Sequence, residues 1–151
     1  MAVDAKFIGT VLDPITMDIE RGRLRAFAKA TDQYDAVYFD LAVAQAAGHP
    51  DLPVPPSFLF AIELEQPDPF AWAPLLGIDL RFVLHGEQRF DYHRMTYAGE
   101  TLTASPTIRD IYSKRDGALD FIVKSSAVTD VHGEAVADLT SVLVVRNQEA
   151  S

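Results

Sequence analysis

Ser57-Phe58-Leu59-Phe60-Ala61-Ile62-Glu63-Leu64 reads as a helix around which the rest of the chain is built. Its run from Phe58 to Ile62 is apolar without interruption, so apolar side chains leave the axis in nearly every direction, the profile of a helix buried all round. Pro50, Pro53, Pro55 and Pro56 precede it and enforce an extended approach. Further upstream, Ile19, Leu24, Phe27 and Ala28 fall near helical spacing, which predicts a helix over 18–31 with Asp18 as its cap; a short helix over 40–47 follows, closed by Gly48. Downstream of the Pro- and aromatic-rich loop 66–74 the period changes to two. Strands are expected near 79–86, 88–94, 101–112, 118–130 and 134–146. Leu119, Phe121, Val123 and Ser125 alternate with Asp120, Ile122 and Lys124, and the turn signals Lys114-Arg115-Asp116-Gly117 and His132-Gly133 bound that strand, so the last three strands read as an antiparallel meander. A curved antiparallel sheet wrapped around one buried helix satisfies both halves of the chain, an α+β class.

With 151 residues, no repeat, no low-complexity run and no Gly/Ser linker, the expectation is one domain spanning 1–151. A domain of this size buries roughly two-thirds of its unfolded surface, enough for a core without staples. The absence of cysteine excludes disulfides, thiolate metal sites and a cysteine nucleophile. No apolar run approaches the ~18 residues of a membrane span, and the first residues carry no leader-like pattern, so no membrane association and a cytoplasmic location are expected. The net charge of −9 argues against nucleic acid. Arg21, Arg23, Arg25 and Lys29 nevertheless cluster, as do Arg81, Arg89 and Arg94; such runs are usually solvated faces, the other reading being reception of an anionic ligand. His49, His85, His93 and His132 show no metal-ligand spacing, and no Gly-rich phosphate loop or Gly-x-Ser-x-Gly elbow occurs, so neither metal nor cofactor is expected.

Two segments carry a family resemblance. Ala30-Thr31-Asp32-Gln33-Tyr34-Asp35-Ala36-Val37-Tyr38-Phe39-Asp40 is similar to the active-site segment of the MaoC-like hydratase/dehydratase families, and Leu84-His85-Gly86-Glu87-Gln88-Arg89-Phe90-Asp91-Tyr92-His93-Arg94 with Tyr97-Ala98-Gly99-Glu100-Thr101-Leu102-Thr103 resembles their N-terminal, dehydratase-associated subfamily. With Val54-Pro55-Pro56-Ser57-Phe58, the strand 108–115 and the turn 130–134, the resemblance covers roughly 7–146. It implies the hotdog fold. In those families the first segment typically runs Gly-Asp-x-Asn-Pro-x-His, and its Asp and His handle the proton and the water. Here Gln33 stands at the Asp position and Tyr38 at the His position, with Asp32, Asp35 and Ala36 replacing Gly, Asn and Pro. Neither an amide nor a phenol of pKa near ~10 is a ready base at neutral pH.

Hydrating an enoyl thioester needs one group to activate water, a second to deliver a proton, and donors to polarise the carbonyl. No firm catalytic residue is therefore expected, only the degenerate positions Gln33, Asp35 and Tyr38. Asp32 and Asp35 read more simply as caps of the short helix over 40–47 or as solvent-facing acids, and Tyr38 as a half-buried aromatic. Substrate-binding candidates are Ser57 and Phe58, whose amides open the central helix, and His85 with Gly86 from the second segment; the competing readings are a Ser57 hydroxyl cap, a strand-face histidine and a bulge glycine. His93 shares the reading of His85, while His49 and His132 read as loop and turn residues. Phe58, Phe60, Phe70 and Trp72 are bulky enough to shape an acyl pocket, but aromatic side chains at such positions are more often plain core.

Three functions fit. The first is an acyl-thioester-binding subunit of an (R)-specific enoyl-CoA hydratase or 3-hydroxyacyl-thioester dehydratase system, the half without the Asp/His dyad. Its ligand would be an acyl-CoA or acyl carrier protein thioester, and it would form a homodimer or a heterodimer with a catalytic MaoC-like subunit. The second is a self-sufficient hydratase or dehydratase with an atypical site drawn from Asp32, Asp35, Tyr38, His49 or His85. The third is a non-enzymatic acyl-thioester-binding homodimer. The missing dyad favours the first, and an unprotected sheet edge, which invites pairing with another chain, favours a dimer.

Overall fold

A computed structural model describes residues 3–147. Among these, five strands form one antiparallel sheet: β1 (Ile15–Asp18), β2 (Val83–Tyr92), β3 (Thr101–Lys114), β4 (Leu119–Thr129) and β5 (Ala135–Arg146), in the order β1-β3-β4-β5-β2. The meander of β3, β4 and β5 is as expected. Arg115, Asp116 and Gly117 all take positive φ in the first of its turns, and Gly133 does so in the second. Register shifts at His85/Glu87, Ile108/Asp110 and Val128/Thr129 put bulges into three ladders, and bulges bend and twist a sheet. The sheet therefore curls around the segment that follows Ser57.

That segment departs from expectation. Phe58–Leu64 is a tight 3₁₀ helix rather than an α-helix, and it is not buried all round. Phe58, Leu59, Ile62 and Glu63 are buried, whereas Phe60 and Ala61 are half-buried and Leu64 is 46% exposed. An acid thus faces inward while a leucine faces out.

Three boundaries also move. The first helix, α1 (Arg21–Ala30), begins later than predicted, because Asp18 belongs to β1 and accepts a hydrogen bond from Thr101 Oγ1 (2.6 Å) instead of capping. Glu20 takes the N-cap position without a side-chain bond. β1 was not expected at all: it has four residues, of which only Ile15 and Met17 point inward, too few to show an alternation. The two strands expected at 79–86 and 88–94 are one strand with a bulge at Gly86, while Leu80–Phe82 is a 3₁₀ turn capped by Asp79. A Cβ on Gly86 would lie 2.9 Å from Val144 Cγ2 and 3.1 Å from the Val142 carbonyl oxygen, so the bulge needs glycine for space. The helix α2 (Leu41–Ala46) matches: Asp40 Oδ1 accepts from the amides of Ala42 and Val43, and Gly48 closes it at φ +92°. Inside the expected loop lies one short helix, α3 (Trp72–Leu75), with Trp72 buried.

The inner face of β4 carries Asp120, Ile122, Lys124, Ser126 and Val128, all buried, while Leu119, Phe121 and Val123 lie half-exposed on the outer face. The buried apolar residues accordingly form two clusters. One surrounds the central helix with Leu24, Leu52, Leu59, Ile62, Leu102, Val128 and Leu139. The other gathers Trp72, Leu76, Ile78, Ile108, Ile122, Leu143 and Val145. Among the described residues no helix is long and apolar enough to cross a membrane.

Candidate functional site

The loop from Gln33 to Tyr38 is held by its own side chains. The Gln33 amide donates to the Ala28 carbonyl (2.9 Å), ending α1, and Gln33 Oε1 accepts from the Asp35 amide (3.1 Å). Asp35 Oδ1 in turn accepts from the Val37 amide (3.1 Å) and caps the 3₁₀ turn Ala36–Tyr38. Asp32 sits at φ +55° and accepts from the Tyr34 hydroxyl (3.0 Å). Asp35 therefore caps its own turn rather than α2, and Gln33 is tied to backbone.

Tyr38 is the member of this loop that reaches a cavity. It lines a mostly apolar pocket of about 410 Å³ with Val54, Pro56, Tyr92, His93, Arg94, Met95 and Thr96. Burial pushes its phenol above the ordinary tyrosine range, and the neighbouring Asp35 carboxylate adds to the shift. The hydroxyl consequently stays protonated at neutral pH, able to donate a hydrogen bond but not to abstract a proton.

Ser57 stands next to this pocket in the left-handed region at φ +67°, and its amide donates to the Tyr92 hydroxyl (2.9 Å). Its own hydroxyl makes no capping bond, contrary to the expected cap. The Phe58 amide donates to the Pro55 carbonyl (3.2 Å), and the Phe58 ring packs edge-on against Phe27 at 5.3 Å. Both amides at the helix start are thus engaged within the chain. His85 and Gly86 lie outside the Tyr38 pocket. His85 is exposed, donates from Nε2 to the Glu87 carbonyl (3.1 Å) and packs edge-on against Phe60. His49 faces the Tyr97 hydroxyl at 3.4 Å, and His132 lies in the exposed turn after β4.

Sequence reasoning missed one pair at the pocket: His93 Nε2 stands 2.8 Å from Asp138 Oδ2, both residues partly exposed. His93 belongs to the second family-like segment, but Asp138 lies on β5, 45 residues away, and only the β2–β5 register brings it across. Beside it, Arg94 is clamped by Glu100 (2.8 Å) and Asp130 (2.9 Å). The other clustered cations are mostly engaged too: Arg21 with Asp51, Arg23 with Glu65 and Glu20, Arg81 with Asp79, Arg89 with Asp91, and Arg25 with the Phe39 carbonyl. Among the described residues no group of acidic and histidine side chains is arranged to hold a metal.

A larger cavity, of about 820 Å³, lies elsewhere. Apolar residues of the second cluster, including Leu76, Ile78 and Val145, line it with Phe7 and Phe82, and Lys6, Arg81 and Arg146 also reach it.

Residues 6–139 match the family model described as the FAS1-like, dehydratase domain region. A UPF0336 protein of Streptomyces coelicolor is 35% identical over 150 residues, covering 99% of each chain. Among solved structures, the C-terminally truncated HadBC (3R-hydroxyacyl-ACP dehydratase) complex of Mycobacterium tuberculosis superposes with a TM-score of 0.75 at 22% identity, over 95% of this chain and 99% of that one. The MaoC-like dehydratase of Rhodospirillum rubrum gives 0.69 at 17% identity, over 93% of each. The fold is therefore that of the MaoC-like hotdog proteins: an α+β architecture with the curled antiparallel sheet around its central helix.

Proposed function

This chain belongs to the FAS1-like dehydratase-region family, MaoC-like in fold, and on that premise we propose that it is the acyl-thioester-binding, non-catalytic half of an (R)-specific enoyl-thioester hydratase or 3-hydroxyacyl-thioester dehydratase. One observation carries the reading. Tyr38, which by the sequence resemblance takes the place of the family's imidazole, lines the pocket as a phenol kept protonated by burial and by Asp35, and Gln33, which by the same resemblance takes the place of the carboxylate, does not titrate. Adding water across a conjugated double bond requires a base that accepts a proton near neutral pH. A second hotdog chain would supply it.

The free edge of the sheet suits such a partner. β2 is a ten-residue edge strand with Leu84 64% exposed, whereas the opposite edge, β1, has four residues. An exposed long edge is a template for pairing. If two such edges pair antiparallel about their midpoints, the Val83 end of one strand meets the Tyr92 end of the other. The 820 Å³ cavity beside Phe82 would then open onto the partner's counterpart of the Tyr38 pocket, and could receive the acyl tail of a thioester held there.

The test is an assay of crotonyl and longer enoyl thioesters with the purified chain alone and co-expressed with a hotdog subunit bearing an intact Asp-x-Asn-Pro-x-His segment. Turnover only in the co-expressed complex, seen as a heterodimer by native mass spectrometry, is the expected result. Ordinary turnover by the single chain overturns it. A self-sufficient site has one observation in its favour, the Asp138-oriented imidazole of His93 at the same pocket. Under that alternative, single-chain turnover is lost in His93→Ala.

A further inference from the structure

An antiparallel sheet with one buried face ordinarily turns polar side chains outward on the other. The outer face of this sheet departs from that pattern. The ladders align Tyr112, Phe121, Val144 and Leu84 in one row across β3, β4, β5 and β2, each on the side opposite the buried positions. The first three are partly exposed and Leu84 is 64% exposed. Tyr112 and Phe121 stack with their ring centroids 5.0 Å apart and their planes nearly parallel, and Lys114 Nζ lies over both rings.

The two flanks of this row carry opposite charge. On one side the register places Lys114 and Arg146 on either side of Leu119; on the other, Asp110 and Glu87 stand at the two ends of the pair Val123 and Val142. All four charged residues are exposed, and among the described residues none of them forms an ion pair. Such a face is complementary to itself. A two-fold axis laid along the row brings the row onto its own copy and the basic flank of each chain onto the acidic flank of the other. Lys114 then meets Asp110 of the second chain, and Leu119 meets Val123. The strands of the two sheets run nearly aligned, the ordinary geometry of sheets packed face to face about 10 Å apart.

We propose that this outer face is a self-association surface on which a second copy of the chain packs sheet to sheet, closed by reciprocal Lys114–Asp110 ion pairs. In the pair, Lys114 gives up its place over the two rings to reach the acid. The backbone edge of β2 stays free, so this contact adds to any pairing there. Four strands about 4.8 Å apart and three outward rows give a footprint on the order of 400 Å² per chain, about half a standard interface. The association is therefore weak and concentration-dependent.

Sedimentation equilibrium of the purified chain, from micromolar to submillimolar concentration, is expected to show it. Phe121→Lys, on a central strand away from the β2 edge, abolishes this step. Lys114→Glu and Asp110→Lys each set like charges face to face twice per interface and weaken it about tenfold. The double variant Lys114→Glu/Asp110→Lys restores the wild-type constant, and these exposed positions carry the test even if Phe121→Lys does not fold. Since the chain has no cysteine, Val144→Cys supplies a single thiol near the axis. A short bismaleimide links that variant to itself, and leaves Ala127→Cys, on the same face but beyond the patch, unlinked. A chain that stays monomeric throughout, an association that folded Phe121→Lys leaves unchanged, or a double swap as weak as the single changes overturns the proposal.

Discussion

Ser57 holds a left-handed backbone conformation that a side chain makes costly, about 1 kcal/mol relative to glycine, and its hydroxyl returns nothing to the helix it precedes. Ser57→Gly is therefore expected to raise stability by up to about 1 kcal/mol, and Ser57→Ala to leave it nearly unchanged, in urea denaturation. Asp120 shows the opposite economy. Burial works to raise its pKa, but hydrogen bonds from Ser113, Asn147 and the Val3 amide outweigh burial and hold it below the usual aspartate value. A carboxyl depressed in the folded state contributes stability that is present above its unfolded value of about 3.9 and lost as pH falls through the folded value. Asp120→Asn should lower the melting temperature near neutrality and flatten its decline on the acid side of about pH 4; a parallel decline in both proteins would contradict this. At this scale the candidate site was legible only through a resemblance. Gln33 and Tyr38 stand where the resemblance puts the family's Asp and His, and neither residue type is a ready base at neutral pH. The role of Asp35 as a cap for its own turn was only partly legible, because an aspartate's partner is chosen among several nearby amides by backbone geometry.

At the scale of elements, the central 3₁₀ helix carries an inverted pattern: Glu63 inward, Leu64 outward. The inversion depends on β4, whose inner face offers Lys124 and Ser126 to the acid. Removing one partner leaves an uncompensated buried charge, and Lys124→Met is expected to cost about 3–5 kcal/mol, whereas the double variant Glu63→Leu/Lys124→Met comes close to the wild type. Chemical denaturation of the two single variants and the double variant gives the coupling directly, and additive losses would show that the two residues act separately. An alternation of apolar and polar residues along β4 was visible in advance. Which set faces inward was not, because Leu119, Phe121 and Val123 are apolar on one side while Ile122 and Val128 are apolar on the other, and only the tertiary position of Glu63 breaks the tie.

For the molecule as a whole, the β2 edge is where an association is expected, and Leu84 is its most accessible large apolar side chain. Leu84→Lys should weaken self-association or partner binding in sedimentation velocity while leaving the fold's circular dichroism intact, since charge on an edge strand disfavours edge-to-edge pairing. Unaltered association would shift attention to another surface. The sequence by itself determined the α+β class and the antiparallel meander, because period and turn chemistry are local properties. Only the tertiary structure decided that β1 exists, that Gly86 bends a single strand, that His93 meets Asp138, and that an ion pair is buried in the core. Each of these depends on residues far apart in the chain coming into one register, and register is settled by the packing of whole faces, which no short stretch of sequence contains.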